Sequence, residues 1–283
     1  MMNVALVLSS GGARGLAHIG AIEELEAQGY RIRSIAGCSM GALVGGMYAA
    51  GRLAEFKEWM QTIDRRKILS LVDLSLSINH LVKGERVIDA LKEIVPDVNI
   101  EDLPIQYQAV ATDWENGHEV VFRSGSLYEA IRASISIPLF FNPIRRDGMI
   151  LVDGGVLNPL PLKYSSEMEG DLLVAVNVSG FYWGGEPKLK QLFETRCKRS
   201  RSLPMNILAS LLPKGLDVNY ITLVQRMCCL MIQQNAALNI QLYKPDVLID
   251  ISMNRFGSFE YDRVDKISAL GRAKMRKALA ERG

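Results

Sequence analysis

The apolar positions of this chain switch repeatedly between unbroken runs, two-residue alternation and helical spacing. Residues 3–8, apolar from Val4 onward, read as a buried strand, and residues 9–14 are a Ser- and Gly-rich loop. Over 15–28, Leu16, Ile19, Ile22 and Leu25 share one helical face, and Gly29 ends it. Residues 31–36 alternate as a second strand, and Ala42, Leu43, Met47 and Tyr48 follow as the next helical stripe. This succession of strand, loop, helix, strand, turn and helix predicts an α/β fold with a mostly parallel sheet covered by helices.

Further along, residues 52–103 are amphipathic in pieces, broken near 79–84 and at Pro96, and read as a cover or cap. Residues 106–112 and 120–123 are two strands around Glu115-Asn116-Gly117, a turn signal that predicts a hairpin. Ser126 with Glu129 forms a capping box for the next helix, which runs out in Ser134-Ile135-Ser136-Ile137-Pro138. Asp147-Gly148 turns the chain into a strand at 149–152 that leads directly into Asp153-Gly154-Gly155. Residues 172–178 and 247–251 are two more apolar strands, and the chain from 262 onward is a long helix with Val264, Ile267, Leu270 and Met275 facing in. No internal repeat, low-complexity tract or long linker divides the chain, so a single domain over 1–283 is expected.

Composition narrows the function classes. The 283 residues are 48% hydrophobic, ample for a sizeable core, and 33 basic against 31 acidic residues leave a net charge of +2. That balance gives no global reason to expect nucleic acid as a partner. No apolar stretch reaches the roughly 18 residues of a spanning helix. Met1-Met2-Asn3 enters the first strand without a basic segment, a hydrophobic stretch and a cleavage site, so secretion is not expected. Cys38, Cys197, Cys228 and Cys229 lack metal-ligand spacing, so no metal, no disulfide framework and no cofactor is expected, and a cytoplasmic location fits.

Candidate chemistry begins at Gly37-Cys38-Ser39-Met40-Gly41, where a serine sits between glycines as an apolar strand runs into a helix. Such a turn pushes the serine Oγ out of the sheet, and flanking glycines let strand and helix backbones approach. Ser39 is therefore the candidate nucleophile. A serine that attacks a carbonyl needs a base and donors for the oxyanion. Ser10-Gly11-Gly12-Ala13-Arg14-Gly15 follows the first strand and opens a helix, so its N–H groups are free to face the same space. Arg14 adds a positive charge that could steady the loop or meet an anionic head group. The spacing matches neither the dinucleotide nor the phosphate-loop pattern. For the base, His80 and His118 fall in polar surroundings, and His18, one turn into the helix, reads as a brace. Asp153, at a strand's carboxyl end before two glycines, is the stronger candidate.

These three segments, in this order and spacing, resemble the motifs of patatin-like phospholipases of the bacterial branch, similar to the patatin domain of neuropathy target esterase-like proteins. Ala133-Ser134 with Pro138, and the strand from Asp246 followed by Phe256-Gly257-Ser258-Phe259, agree with it. The resemblance spans residues 3 to about 180 and 245–275. It implies a three-layer α/β/α fold and a Ser-Asp dyad that hydrolyses lipid acyl esters without a metal. Ser39 takes the nucleophile position and Asp153 the base position. Backbone amides of Gly11, Gly12 and Ala13 form the oxyanion hole, with Arg14 beside them. One departure is Ser10, where the family usually carries a third glycine.

Residues 181–244 are the least family-like part and read as a helical insertion. Phe181, Tyr182 and Trp183, the basic cluster Arg196, Lys198, Arg199 and Arg201, and the apolar stripe Val224, Met227, Cys228 and Met231 suit peripheral contact with anionic lipid. A core-facing helix behind a solvated loop accounts for the same pattern. The expected activity is hydrolysis of a phospholipid or lysophospholipid ester through an acyl-Ser39 intermediate. A thioesterase or acyltransferase with the same nucleophile, and a regulatory or lipid-binding protein without turnover, are the alternatives.

Overall fold

A computed structural model describes residues 2–63, 85–138, 141–181 and 220–282. Five elements open the chain: β1 (Asn3–Leu8), α1 (Ala17–Ala27), β2 (Arg31–Cys38), α2 (Met40–Ala49) and α3 (Leu53–Gln61). Next come α4 (Glu85–Lys92), the hairpin β3 (Gln106–Asp113) and β4 (His118–Phe122), α5 (Leu127–Ser134), and the antiparallel pair β5 (Ile144–Arg146) and β6 (Met149–Asp153). The chain then forms β7 (Leu172–Gly180), α6 (Tyr220–Tyr243), β8 (Val247–Ser252) and α7 (Val264–Ala280).

The strands form one mixed sheet in the order β5-β6-β3-β2-β1-β7-β8, with β4 also on β3. Its centre is parallel, because β2–α2 and the other crossovers return the chain to the same edge. Alternation along each strand sorts the core. Val4, Leu6 and Leu8 of β1, Val174, Val176 and Val178 of β7, and Val247, Ile249 and Ile251 of β8 join the larger cluster with α1, α2, α3, α5 and α7. Ala5, Val7, Ala175 and Leu173 face the other way, onto Leu160, Leu162 and Ala236 of α6. The result is a three-layer α/β/α arrangement with one thick and one thin helical layer.

Register on β3 positions the site. Residues Ser34 to Cys38 of β2 pair with Gln106 to Val110, while Leu151, Val152 and Asp153 of β6 pair with Asp113, Thr112 and Ala111. Because β4 occupies one edge of β3 from Ala109 to Asp113, β6 lies on the edge that β2 uses lower down. The carboxyl ends of β2 and β6 therefore meet end to end.

Several expectations change in detail. The helix expected over 15–28 starts as a 3-10 turn, Gly12–Leu16, before α1, with Gly12 at φ +56°. In the described parts of 52–103, Phe56, Met60, Ile63, Ile88, Leu91, Val95 and Ile100 are buried in the main core. Periodicity identified their apolar faces but could not say what those faces pack on. The Ser126 cap is present, its hydroxyl accepting the Glu129 N–H at 3.1 Å. Residues 182–219, with the basic cluster, and His80 lie outside the described residues. Among the described residues no helix is long and apolar enough to cross a membrane.

Candidate active site

Ser39 is the residue at which β2 becomes α2, and it takes φ +54° and ψ −120°. A non-glycine residue at positive φ costs on the order of 1–3 kcal/mol and persists only where its surroundings enforce it. They do so here. A Cβ at Gly37 would strike the backbone of Gly41, and one at Gly41 would strike the backbone of Leu8 and Ser9, so both glycines are needed for strand and helix to close on one another. Ser39 Oγ emerges at the carboxyl edge of the sheet, buried, and donates to Asp153 Oδ2 at 2.5 Å.

Asp153 caps a short 3-10 turn, Gly154–Val156, and its other oxygen, Oδ1, accepts the Gly155 N–H at 2.7 Å. Burial pushes the carboxyl up from 3.8 to about 6, while the bonds from Ser39 and Gly155 pull the other way. The Cys38 thiol lies 4.0 Å from Oδ1. Burial, with the Asp153 charge adding to it, keeps that thiol neutral by raising its pKa well above the usual value. Cys38 therefore offers no thiolate to compete with the serine.

The loop after β1 is stapled in place by buried polar groups. Ser10 C=O accepts from Ser9 Oγ at 3.0 Å and Ser179 Oγ at 3.1 Å, and Ser9 Oγ accepts the Val178 N–H at 2.9 Å. In a trans peptide the next N–H points opposite its carbonyl, so this network turns the Gly11 N–H away from itself. Gly155 stands against Ser10, and Gly15 against Met40, so loop, Ser39 turn and Asp153 turn are neighbours.

The sequence profile described as patatin-like phospholipase matches residues 6–165, which contain all three segments. The chain belongs to the patatin-like phospholipase family. It is 46% identical over 211 residues to an NTE family protein of Mycobacterium tuberculosis, covering 73% of this chain and 59% of that protein. It is 31% identical over 182 residues to human patatin-like phospholipase domain-containing protein 6, covering 62% of this chain and 13% of that protein. The crystal structure of VipD from Legionella pneumophila aligns with a TM-score of 0.49 and 14% identity, over 99% of this chain and 67% of that one. The chain thus spans less than two thirds of the length of the curated relatives it matches.

Within this patatin-like site, two expected oxyanion-hole members have other partners. The Ala13 N–H is donated to Ser258 O at 2.9 Å and is not available to a substrate oxygen. Arg14 is buried, and its Nη1 donates to Met253 O at 2.9 Å and to Phe256 O and Ser258 Oγ at 3.5 Å. Its guanidinium ties the 3-10 turn to the segment after β8 and does not reach out to a head group. Desolvation lowers it to about 10, so it stays charged. Gly11 precedes the 3-10 turn and Gly12 opens it, positions whose N–H groups have no intrahelical acceptor, and no hydrogen bond among the described residues takes up either.

His18 is fully buried, with Nε2 2.9 Å from Ser9 O, and desolvation lowers it to about 4. It is neutral near pH 7, donates through Nε2, and braces the loop. His118 is exposed, 3.7 Å from Asp113 Oδ2 and at the far end of the hairpin. Sequence reasoning missed the roles of Ser134, which accepts the Ser39 N–H, and of Ser258, which takes the Ala13 N–H. Both residues fall in segments noted as family-like, but nothing local tells what their oxygens hold.

Proposed function

We propose that this chain is a serine acyl-ester hydrolase that cleaves a fatty-acyl ester of a phospholipid or lysophospholipid with Ser39 and Asp153 as a dyad. The observation that carries the reading is the 2.5 Å bond between a buried serine hydroxyl on a strained turn and a buried carboxylate. Asp153 Oδ2 takes the Ser39 proton as Oγ attacks the ester carbon. The Gly11 and Gly12 N–H groups meet the oxygen that becomes negative. As the tetrahedral intermediate collapses, Asp153 returns the proton to the leaving alcohol, and the acyl group remains on Ser39. Water then attacks, giving its proton to Asp153, and release of the fatty acid restores the hydroxyl. An acid near pKa 6 suits both halves, since it is ionised at neutrality yet basic enough to hold the proton in transit.

A lipid substrate fits the family and the surface around the site. Leu223, Met227, Leu230 and Met231 of α6 are exposed, and Cys229 on the same helix is close enough to Arg14 for that charge to act on its thiol. Apolar side chains of this kind suit peripheral contact with lipid.

The test is turnover of p-nitrophenyl esters, lysophospholipids, diacyl phospholipids and acyl-CoA, together with fluorophosphonate labelling. Lipid ester hydrolysis with labelling at Ser39 is expected. Labelling with acyl transfer only to a non-water acceptor would replace hydrolase by acyltransferase, and no labelling at all would remove the enzymatic reading.

A further inference from the structure

The sheet sets the Ser39–Asp153 separation only through β3, where Cys38 pairs with Val110 and Asp153 with Ala111. Strands β2 and β6 pair with β3 on the same edge but meet end to end, and no ladder bond runs between them. A different segment spans the junction. At the end of α5, Ser134 Oγ accepts the Ser39 N–H at 2.8 Å and donates to Val110 O at 2.7 Å. Two residues on, Ser136 O accepts the Asp153 N–H at 2.9 Å. One short stretch thus holds the backbone of the serine and the backbone of the aspartate.

The stretch is itself tied down. Ser134 and Ser136 are fully buried, and Ser136 Oγ donates to Arg132 O at 2.8 Å and accepts from Arg132 Nη1 at 2.7 Å. Arg132 Nη2 in turn donates to Asn142 O at 3.0 Å. At the start of α2 the Ser39 N–H has no helical acceptor, and its positive φ needs an external restraint. The Ser134 hydroxyl supplies both.

We propose that Ser134 is a positioning residue that, through the Ser39 N–H, sets the reach of Ser39 Oγ to the Asp153 carboxylate. The proposal rests on the dyad reading above. Removing the hydroxyl leaves the Ser39 N–H without a buried partner and lets the turn relax away from Asp153. Misplacement of a nucleophile by a fraction of an ångström to an ångström costs about 10- to 100-fold in rate. It also weakens the Ser39 bond that draws the Asp153 proton affinity down, so the acid midpoint of the rate moves upward.

The experiment is the second-order rate of fluorophosphonate labelling as a function of pH, on the full chain, for wild type, Ser134→Ala, Ser134→Thr, Ser134→Val and Ser39→Ala. Ser134→Ala should reach the wild-type labelling endpoint about 10- to 100-fold more slowly, with its acid midpoint raised. Threonine and valine have the same shape and differ in the hydroxyl, so Ser134→Thr should be clearly faster than Ser134→Val. This pair decides the matter if the alanine chain fails to fold. Wild-type rate and midpoint in Ser134→Ala, or equal rates for the threonine and valine chains, overturn the clamp. Should Ser39→Ala still be labelled at the wild-type rate, the dyad itself falls, and the two failures are thereby told apart.

Discussion

Two buried polar corners share the carboxyl edge of the sheet, and burial does opposite things to them. At the Ser39–Asp153 corner it disfavours a carboxylate, and the acid rises to about 6. At the loop corner it disfavours cations, so His18 falls to about 4 and Arg14 to about 10. One physical effect therefore brings an aspartate into the range where protons are taken and returned near neutrality, and removes a histidine from it. Under the dyad proposed above, the imidazole nearest in sequence is engaged with Ser9 O, while the carboxylate meets the serine directly.

The strongest way to break the comparison is at the serine. Ser39→Ala should lower esterase activity by roughly 10³-fold or more while the chain stays folded, since a methyl group fits where the hydroxymethyl was. Residual turnover near the wild-type rate in the purified variant would end the nucleophile assignment.

Asp153→Asn should cost roughly 10³-fold as well, because an amide cannot accept the serine proton. It should also stabilise the protein. A carboxyl whose folded pKa is raised from 3.8 to about 6 binds its proton more tightly when folded, so its own contribution to wild-type stability is fully present below about pH 4 and is lost as pH rises through about 6. At pH 7 the asparagine chain avoids that penalty, on the order of 3 kcal/mol, and the gap should close below pH 4. Melting curves across pH 3.5–8 measure it. In the same window wild-type kcat/KM should fall with an acid midpoint near 6. A flat melting difference, or no acid limb, would show that Asp153 is not the desolvated acid.

How far the sequence foretold this depended on whether a feature was local. Ser39 could be placed at a strand-to-helix turn because its glycines adjoin it, and Asp153 at a strand end because Gly154 and Gly155 follow it. The fate of Ala13 could not be read that way, since the oxygen that takes its N–H belongs to Ser258, on the far side of the sheet sequence. Ser134 and Ser136 presented two polar residues in an apolar helix ending, a pattern that says nothing about which N–H groups they hold. The same limit applies to 52–103, where amphipathic spacing shows an inward face but not the partners it packs on.

His18 provides a sharper, smaller test of the second corner. Glutamine can carry an N–H donor close to the position of Nε2, whereas leucine cannot. His18→Leu should lose roughly 1–3 kcal/mol of stability as the Ser9 carbonyl is left unpaired, with a drop in rate of about 10-fold as the loop loosens. His18→Gln should recover most of both. Neither should move the acid midpoint near 6, because a histidine titrating at about 4 is already neutral there. A variant as inactive as Asp153→Asn with its fold intact would make His18 part of the proton path.

Arg14 separates support from recognition with the smallest expected effect on rate. Its guanidinium donates from one nitrogen to Met253 O and, at longer range, to Phe256 O and Ser258 Oγ, all after β8. Lysine keeps the charge but presents a single ammonium on a flexible stem, so Arg14→Lys should satisfy fewer of these acceptors. We expect a loss of about 1–3 kcal/mol in stability. The ratio of rates on anionic and zwitterionic lysophospholipids should stay within about twofold of wild type, because a buried cation turned toward backbone carbonyls has no differential interaction with the head group. Stability unchanged with that ratio shifted tenfold or more, on the scale of about 1.4 kcal/mol, would mean that Arg14 faces the substrate after all. The loop corner would then belong to the chemistry as directly as the dyad does.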